Sequence, residues 1–385
     1  MIFVVFCILL IIVIGSMIEL IGIQDGKYRK SVSSSSFPQL NALRPTTFLS
    51  ELSENSYFTP DSNVKIGPLQ YTIENPSVLT YKDLGYLGNT GNQLFEIAAT
   101  LSIAYTNKCR VVFPSSLDRL SIYKLFDLTH LPIQDVSSSE NILEFDNYED
   151  IVVPSDGKIY NLQGYRQSYM YFEPILQHIR DIFPLRTSTL SKLSNSSYIA
   201  IHVRRTDTVN VPKFHKILKL QLNCSLKYYQ EGIKRIRVEY GLPQNFPVIV
   251  ATDDPVWLRT HLKDIDEHAQ INSRPTKAGD FELMYFAPYL IISNSTFSYW
   301  AAMLGVPKCI IAPSYWWPQD SPVHQLTKAD HQPICPPYWK FNDPLTGNVE
   351  SKSYHWDETE WSSTNKLVRL ARAMFATNVL RKETL

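Results

Sequence analysis

Four short apolar runs in the second half of the chain end in the same way, and that repetition limits the possible folds more than any other feature. Tyr198–Val203 leads into Arg204, Arg205, Thr206 and Asp207. Pro247–Ala251 leads into Thr252, Asp253 and Asp254. Tyr289–Ile292 leads into Ser293, Asn294, Ser295 and Thr296, and Lys308–Ala312 leads into Pro313 and Ser314. Each run has the length of a buried strand, and helical patterns lie between them, as in repeated βα units. Open α/β sheets bind ligands beyond the carboxyl ends of their strands, so four polar ends in one half of the chain predict one crevice there. An earlier unit has the same form: Val78–Tyr81, the loop Gly85–Gln93, then a helix with Leu94, Ile97, Ala98, Leu101 and Ala104 on one face. A strand over Cys109–Phe113 follows. The expected body is α/β, with two Rossmann-like lobes over residues 76–195 and 196–385.

The amino terminus bears on the compartment. Ile2 to Ile18 is apolar apart from Gly15 and Ser16, and extension through Leu20 to Ile23 takes in Glu19. That is the short end of what spans a bilayer. A cleaved signal peptide calls for a basic start and a small-x-small site; the only basic group at the start is the terminal amine, and no Ala-x-Ala follows. Residues 1–23 therefore read as a transmembrane signal anchor, with residues 2–23 in the lipid bilayer. Lys27, Arg29 and Lys30 argue against a luminal body, because basic flanks prefer the cytoplasm. The N-x-S/T sequons at Asn195, Asn223 and Asn294 argue for one. Asn195 and Asn223 are the expected glycan sites. Residues 24–75, rich in Ser, Pro, Asn and Thr, read as a flexible stem.

Charge and spacing remove several function classes. Lys+Arg and Asp+Glu both number 37, giving zero formal net charge. A duplex-DNA protein needs a basic excess or stripe, so no nucleic-acid partner is expected. The 5 cysteines are too few for a disulfide scaffold and lack zinc-type CxxC spacing. Cys7 lies in the apolar segment; Cys109, Cys224, Cys309 and Cys335 either pair or remain as buried thiols. Asp253 and Asp254, and Asp264 with Asp266, raise the question of a metal. The second pair lies among Lys263, Glu267 and His268 and reads as a solvated helix end. Neither a serine-hydrolase elbow nor a P-loop is present.

Three elements carry chemistry. The glycine-rich Gly85–Gln93 turn opens a helix, so its backbone can approach a phosphate, and Asn89, Asn92 and Gln93 add amides suited to sugar or phosphate. The plainer alternative is a tight strand–helix connection. In His202–Asp207, strand alternation puts His202 and Arg204 on one face and Val203 and Arg205 on the other. A guanidinium neutralises a diphosphate bidentately and keeps its charge. An Arg–Asp ion pair at a sheet edge accounts for one of the two arginines, not both. In Ser293–Ser298, capping explains one or two hydroxyls, not four.

Three stretches resemble the α-1,2-fucosyltransferases, glycosyltransferase family 11: Leu87–Ala99, Ile201–Asp207, and Asp280–Met284 running on to Ile291–Ala302. The His-x-Arg-Arg element is shared with α-1,6- and protein O-fucosyltransferases. The resemblance implies a two-lobed GT-B fold and transfer of L-fucose from GDP-fucose to the 2-hydroxyl of galactose on a glycan. It implies inversion, no cofactor and no obligatory metal. It also implies a single-pass type II Golgi membrane protein with a luminal body. Arg204 takes the place at the donor pyrophosphate, with His202 and Arg205 beside it. Ser295, Thr296 and Phe297 fall on a second phosphate-binding turn, and Asn92 and Gln93 on the loop facing the cleft.

The chain departs from the family's pattern in places. The family often has Gly where Thr206 stands, and Thr90 and Gly91 are inserted after Gly88 and Asn89. The α-1,6 enzymes place a glutamate base where this chain has Val209–Pro212, so that base does not carry over. Asp207, paired with Arg204 as catalytic, and also Asp280 and Glu282, are the base candidates. A membrane-tethered glycan-binding pseudo-enzyme of the same fold, or a fucosyltransferase of other linkage, are the rival readings. Tyr315–Trp317 either stacks on an acceptor sugar or packs beneath a loop.

Overall fold

The computed structural model describes residues 63–86, 88–136, 141–143, 151–186, 197–209, 222–305, 307–316 and 334–351. The expected anchor, most of the expected stem, Asn195, Val211, Pro212 and Trp317 lie outside them. Among the described residues no helix is long and apolar enough to cross a membrane.

Among the described residues, part of the stretch expected to be stem is regular structure. β1 (Asn63–Ile66) and β2 (Leu69–Thr72) form an antiparallel hairpin. Ile66, Leu69 and Tyr71 are buried. The period-two pattern that drives this is only a few residues long, and the polar composition around it hides it.

The first larger sheet follows. β3 (Asn75–Thr80) leads through the glycine-rich loop into α1 (Thr90–Thr106) and back along β4 (Cys109–Val112). β5 (Asn141–Ile142) and β6 (Ile159–Asn161) complete it in the order β4-β3-β6-β5, parallel throughout. A 3-10 segment, Tyr169–His178, then runs into the short α2 (Ile179–Ile182). Ser168 caps that segment by accepting from the Met170 N–H.

The second sheet holds β7 (Ile199–Val203), β8 (Val248–Thr252), β9 (Ala269–Ile271), β10 (Tyr289–Ile291), β11 (Cys309–Pro313), β12 (Lys340–Asn342) and β13 (Val349–Glu350). Its order is β13-β12-β11-β10-β7-β8-β9, parallel except for β13. Counted along the chain, the parallel strands stand in the doubly wound order 3-2-1-4-5-6. The connecting helices are α3 (Thr206–Val209), α4 (Leu226–Tyr240), α5 (Pro255–Ile265), α6 (Lys277–Tyr285) and α7 (Thr296–Leu304). Ser225, Asp254 and Thr276 each accept a hydrogen bond from the first turn of α4, α5 and α6, and Pro255 stands at the first position of α5.

One apolar core joins elements of both sheets. Trp300 on α7 lies at its centre, with the rings of Phe95 and Phe172 at 5.1 Å and Phe183 at 5.7 Å. Edge-on and tilted pairs of this kind contribute about 0.5–1.5 kcal/mol each beyond the area they bury. The expectation of a single apolar face on α1 proves too narrow. Gln93, Glu96, Thr100 and Ser102 are buried as well, because the 3-10 segment packs on one side of α1 and α7 on another. Thr100 stays satisfied by donating to the Glu96 carbonyl.

α1 comes close to α7 at Gly91. A Cβ there would lie 2.4 Å from the Thr296 carbonyl carbon and 2.6 Å from the Phe297 nitrogen. Those are backbone atoms and cannot swing aside. Gly91→Ala should therefore destabilise the protein by roughly 1–3 kcal/mol, the scale of overpacking. Thermal unfolding checks this; a melting temperature equal to the parent's would show that the two helices are free to separate.

Candidate active site

The switch point of the doubly wound sheet lies between β7 and β10, where the chain's strand order reverses. Ligands of such sheets bind outside the carboxyl ends at that point. The two strands deliver the sharpest sequence elements there. Alternation along β7 sends His202 and Arg204 to one side. His202 Nδ1 and the Ser293 hydroxyl are 2.9 Å apart, and Arg204 donates to Ser295 Oγ at 3.2 Å. Phe297 stands 6.0 Å from the His202 ring, centroid to centroid.

Ser295 holds the N-cap position of α7 by its backbone, yet its side chain makes no capping hydrogen bond. The hydroxyl is turned to Arg204 instead. The first N–H groups of a helix lack intrahelical partners and carry positive partial charge. Here they lie beside a guanidinium. Hydroxyl, guanidinium and helix terminus together make an anion site.

α1 brings the first lobe to the same place. Asn92 Oδ1 accepts from Thr296 Oγ1 at 2.8 Å and from Gln167 Nε2 at 3.0 Å. Gln167 is a site residue that sequence reasoning missed; one polar residue in an irregular loop gives no signal. Gln93 is placed differently from Asn92. It is buried, donates to the Gly88 carbonyl, and accepts from the Ile122 N–H and the Ser121 hydroxyl. Its amide braces the glycine-rich loop from within.

The two arginines divide as the alternation requires. Arg205 faces away from Arg204, 3.6 Å from an Asp254 carboxylate oxygen and 4.1 Å over the Trp257 ring. The structure thus groups His202, Arg204, Ser295, Thr296, Phe297 and Asn92, and sets Arg205 and Gln93 apart from them. The Asp207 side chain lies outside the described residues. Asp253 accepts from the N–H groups of Arg205 and Thr206 and from the Thr206 hydroxyl.

The other carboxylates are also placed. Asp254 caps α5. Asp266 is not at a solvated helix end: it forms a buried ion pair with Arg237 at 2.6 Å. Among the described residues no group of three or more His, Cys, Asp and Glu side chains could hold a metal ion. Glu282 pairs with Arg274 at 2.9 Å. Asp280 accepts from Asn272 Nδ2 at 2.7 Å, and burial pushes its carboxyl up to about 6. Asn294 donates its amide to the Leu222 and Trp316 carbonyls, which leaves that sequon poorly placed for a glycan. Asn223 is half-buried, Trp316 is packed against the core, and Cys109, Cys224, Cys309 and Cys335 are free thiols.

One buried carboxyl lies under the glycine-rich loop. Glu96 is fully buried and accepts from the Gly85 N–H. Burial first, then the charge of Asp83, raises it from 4.5 to about 7. The folded state therefore holds a proton that the unfolded chain has released. Stability should fall as pH rises from about 4.5 to 7, then level off, with a total on the order of 3 kcal/mol. Glu96→Gln keeps an acceptor for Gly85 and should remove this component. Denaturant unfolding at pH 5 and pH 8 checks it; equal pH slopes in parent and variant would contradict it.

Fold and site together define a doubly wound α/β protein with an anion site at its switch point. The model for Glycosyl transferase family 11 matches residues 133–339, and the chain belongs to that family. It is 29% identical to an Alpha-1,2-colitosyltransferase of Escherichia coli, over 46% of this chain and 60% of that protein. It is 24% identical to a Galactoside alpha-(1,2)-fucosyltransferase 2 of Sus scrofa, over 68% of this chain and 81% of that one. The chain thus spans less than two thirds of the bacterial relative. The solved fucosyltransferase NodZ from Bradyrhizobium is similar at 14% identity and a TM-score of 0.37, over 61% of this chain and 93% of that one.

Proposed function

We propose that this protein transfers L-fucose from GDP-fucose to the 2-hydroxyl of a galactose, with inversion, on a fold of GT-B type. The single observation behind this reading is the pairing of Arg204 with Ser295 at the open amino terminus of α7. Cleaving a sugar–diphosphate bond builds negative charge on the departing diphosphate and positive charge on the sugar ring. Arg204 and the α7 terminus offer preorganised positive charge for the first. His202, fixed by Ser293, and Thr296, fixed by Asn92, line the same place. The better the leaving group is stabilised, the less the attacking hydroxyl depends on a strong base. The family membership supports the reaction class, and the names of the mammalian relatives support the acceptor and linkage.

The cellular setting is part of the same proposal. Residues 2–23 would anchor the chain in the Golgi membrane as a type II protein, with glycans at Asn195 and Asn223. The apolar run and the sequons support this.

Incubating the full-length chain with GDP-fucose and a panel of galactose-terminated glycans, with and without chelator, tests the activity. The expected outcome is GDP release matched by an α-1,2-linked product. Arg204→Ala should lower turnover roughly a thousandfold while melting as the parent does. Near-parental turnover in that variant would remove Arg204 from the reaction. Tight GDP binding with neither transfer nor donor hydrolysis would mark a binding protein instead.

A further inference from the structure

The two hydroxyls that open α7 are held in opposite senses. A hydroxyl donates one hydrogen bond and accepts two. Ser295 Oγ accepts from Arg204 at 3.2 Å and makes no capping bond to its own helix. A guanidinium only donates, so the Ser295 hydrogen points away from it and keeps its donor function for a ligand. Thr296 is the reverse. Its hydrogen is spent on Asn92 Oδ1 at 2.8 Å, so toward a ligand Thr296 Oγ1 only accepts.

The first lobe sets the polarity of Thr296. A carboxamide presents an oxygen on one side and an NH2 on the other, and the side that meets Thr296 decides where the threonine sends its hydrogen. Gln167 Nε2 donates to the same Asn92 oxygen at 3.0 Å. Two donors on one oxygen hold the Asn92 amide in a single orientation. Gly91 leaves room for the contact, since a Cβ there would lie 2.5 Å from Thr296 Oγ1. Gln167 is aimed in turn by the loop after β6, in which Gly164 has φ +86° and Arg166 has φ +50°. A glycine in place of Arg166 would hold the same backbone without strain. The loop is fastened on both sides of that residue: the Tyr81 hydroxyl donates to the Gly164 carbonyl, and the Ser168 N–H donates to the Arg166 carbonyl. Backbone strain beside a residue that reaches the site calls for a functional reason, and aiming Gln167 supplies one.

An ionised diphosphate offers acceptors alone. Its oxygens match the Ser295 hydrogen, whereas against Thr296 Oγ1 they would set lone pair against lone pair. A sugar offers O–H donors. Ser295 and Thr296 are consecutive, so a group bonded to a phosphate at Ser295 lies beside Thr296. We infer that Thr296 reads one hydroxyl of the sugar being transferred by accepting its hydrogen, and that Gln167 is the positioning residue that keeps Thr296 an acceptor by orienting Asn92. This rests on the transferase reading above. It moves the Thr296 side chain from the phosphate, where the sequence pattern put it, to the sugar; the backbone N–H of Thr296, in the first turn of α7, is the part that serves the anion.

The test titrates the full-length chain with GDP, with GDP-fucose, and with the three GDP-sugars that lack the 2-, 3- or 4-hydroxyl of the fucose. The parent should prefer GDP-fucose to one of the three by roughly tenfold, the scale of one hydrogen bond. Thr296→Val keeps the side chain's shape without its oxygen; it should bind GDP-fucose and that analogue equally, with GDP affinity within about twofold of the parent's. Gln167→Leu should lower the preference by roughly threefold or more at unchanged GDP affinity, a split that a merely structural role would not produce. Ser295→Ala should weaken GDP and every donor alike and leave the preference intact. A Thr296→Val variant that keeps the parent's preference, or loses as much affinity for GDP as for GDP-fucose, would overturn the assignment of Thr296. So would a parent that binds all the donors equally. An unchanged preference in Gln167→Leu would overturn the positioning role. A parent that distinguishes the donors but transfers no fucose refutes the activity instead, and the affinities still decide which group Thr296 reads.

Discussion

The organisation of the site depends on one carboxamide oxygen. Asn92 Oδ1 accepts from Thr296 on the second lobe and Gln167 on the first. It therefore ties the carboxyl edge of one parallel sheet to that of the other. The tie is possible only because Gly91, the residue before it, lets the backbones of α1 and α7 come together without a side chain between them. Beneath it the cluster around Trp300 fills the space between α1, the 3-10 segment and α7. Close backbone approach, one shared acceptor and an aromatic core thus converge on the same helix crossing.

Much of this was legible in the sequence. The four apolar runs with polar ends are four adjacent strands, and the crevice they predicted is the switch point of the doubly wound order. The alternation His202, Val203, Arg204, Arg205 assigned the arginines to opposite faces, and the structure separates them accordingly. What stayed hidden was tertiary. Nothing in the pattern of α1 shows that it is buried nearly all round, because that depends on the 3-10 segment contributed from much later in the chain. The hydroxyls of Ser293–Ser298 could be counted but not apportioned; only coordinates show Ser295 leaving its helix uncapped. Asp266 looked like one charge in a solvated run, and Arg237, distant in sequence, made it a buried pair.

One of the three segments that resemble the family, Ile291–Ala302, is largely a packing element. Within Ile291–Ala302, Ile291, Ile292, Tyr299, Trp300 and Ala301 are buried, while Ser295 and Thr296 carry the polar contacts of the site. A helix start used as an anion site must sit at a fixed height above its sheet. The buried aromatics that follow it set that height. Motif and core are in this case the same residues, which is why the pattern is specific enough to recognise from sequence.

That arrangement has a cost in local stability. An N-cap hydroxyl that bonds its own helix is worth about 1 kcal/mol, and Ser295 gives this up to meet Arg204. Arg166 likewise holds a backbone shape that glycine would hold more easily, and Glu96 sits buried where water would suit it better. These departures from local preference surround the place where the two sheets' carboxyl edges meet, and the surrounding core supplies what they lose. A chain selected for stability alone would cap α7, relax the loop after β6 and make Glu96 an amide. All three departures lie around the place where the proposed transfer would occur.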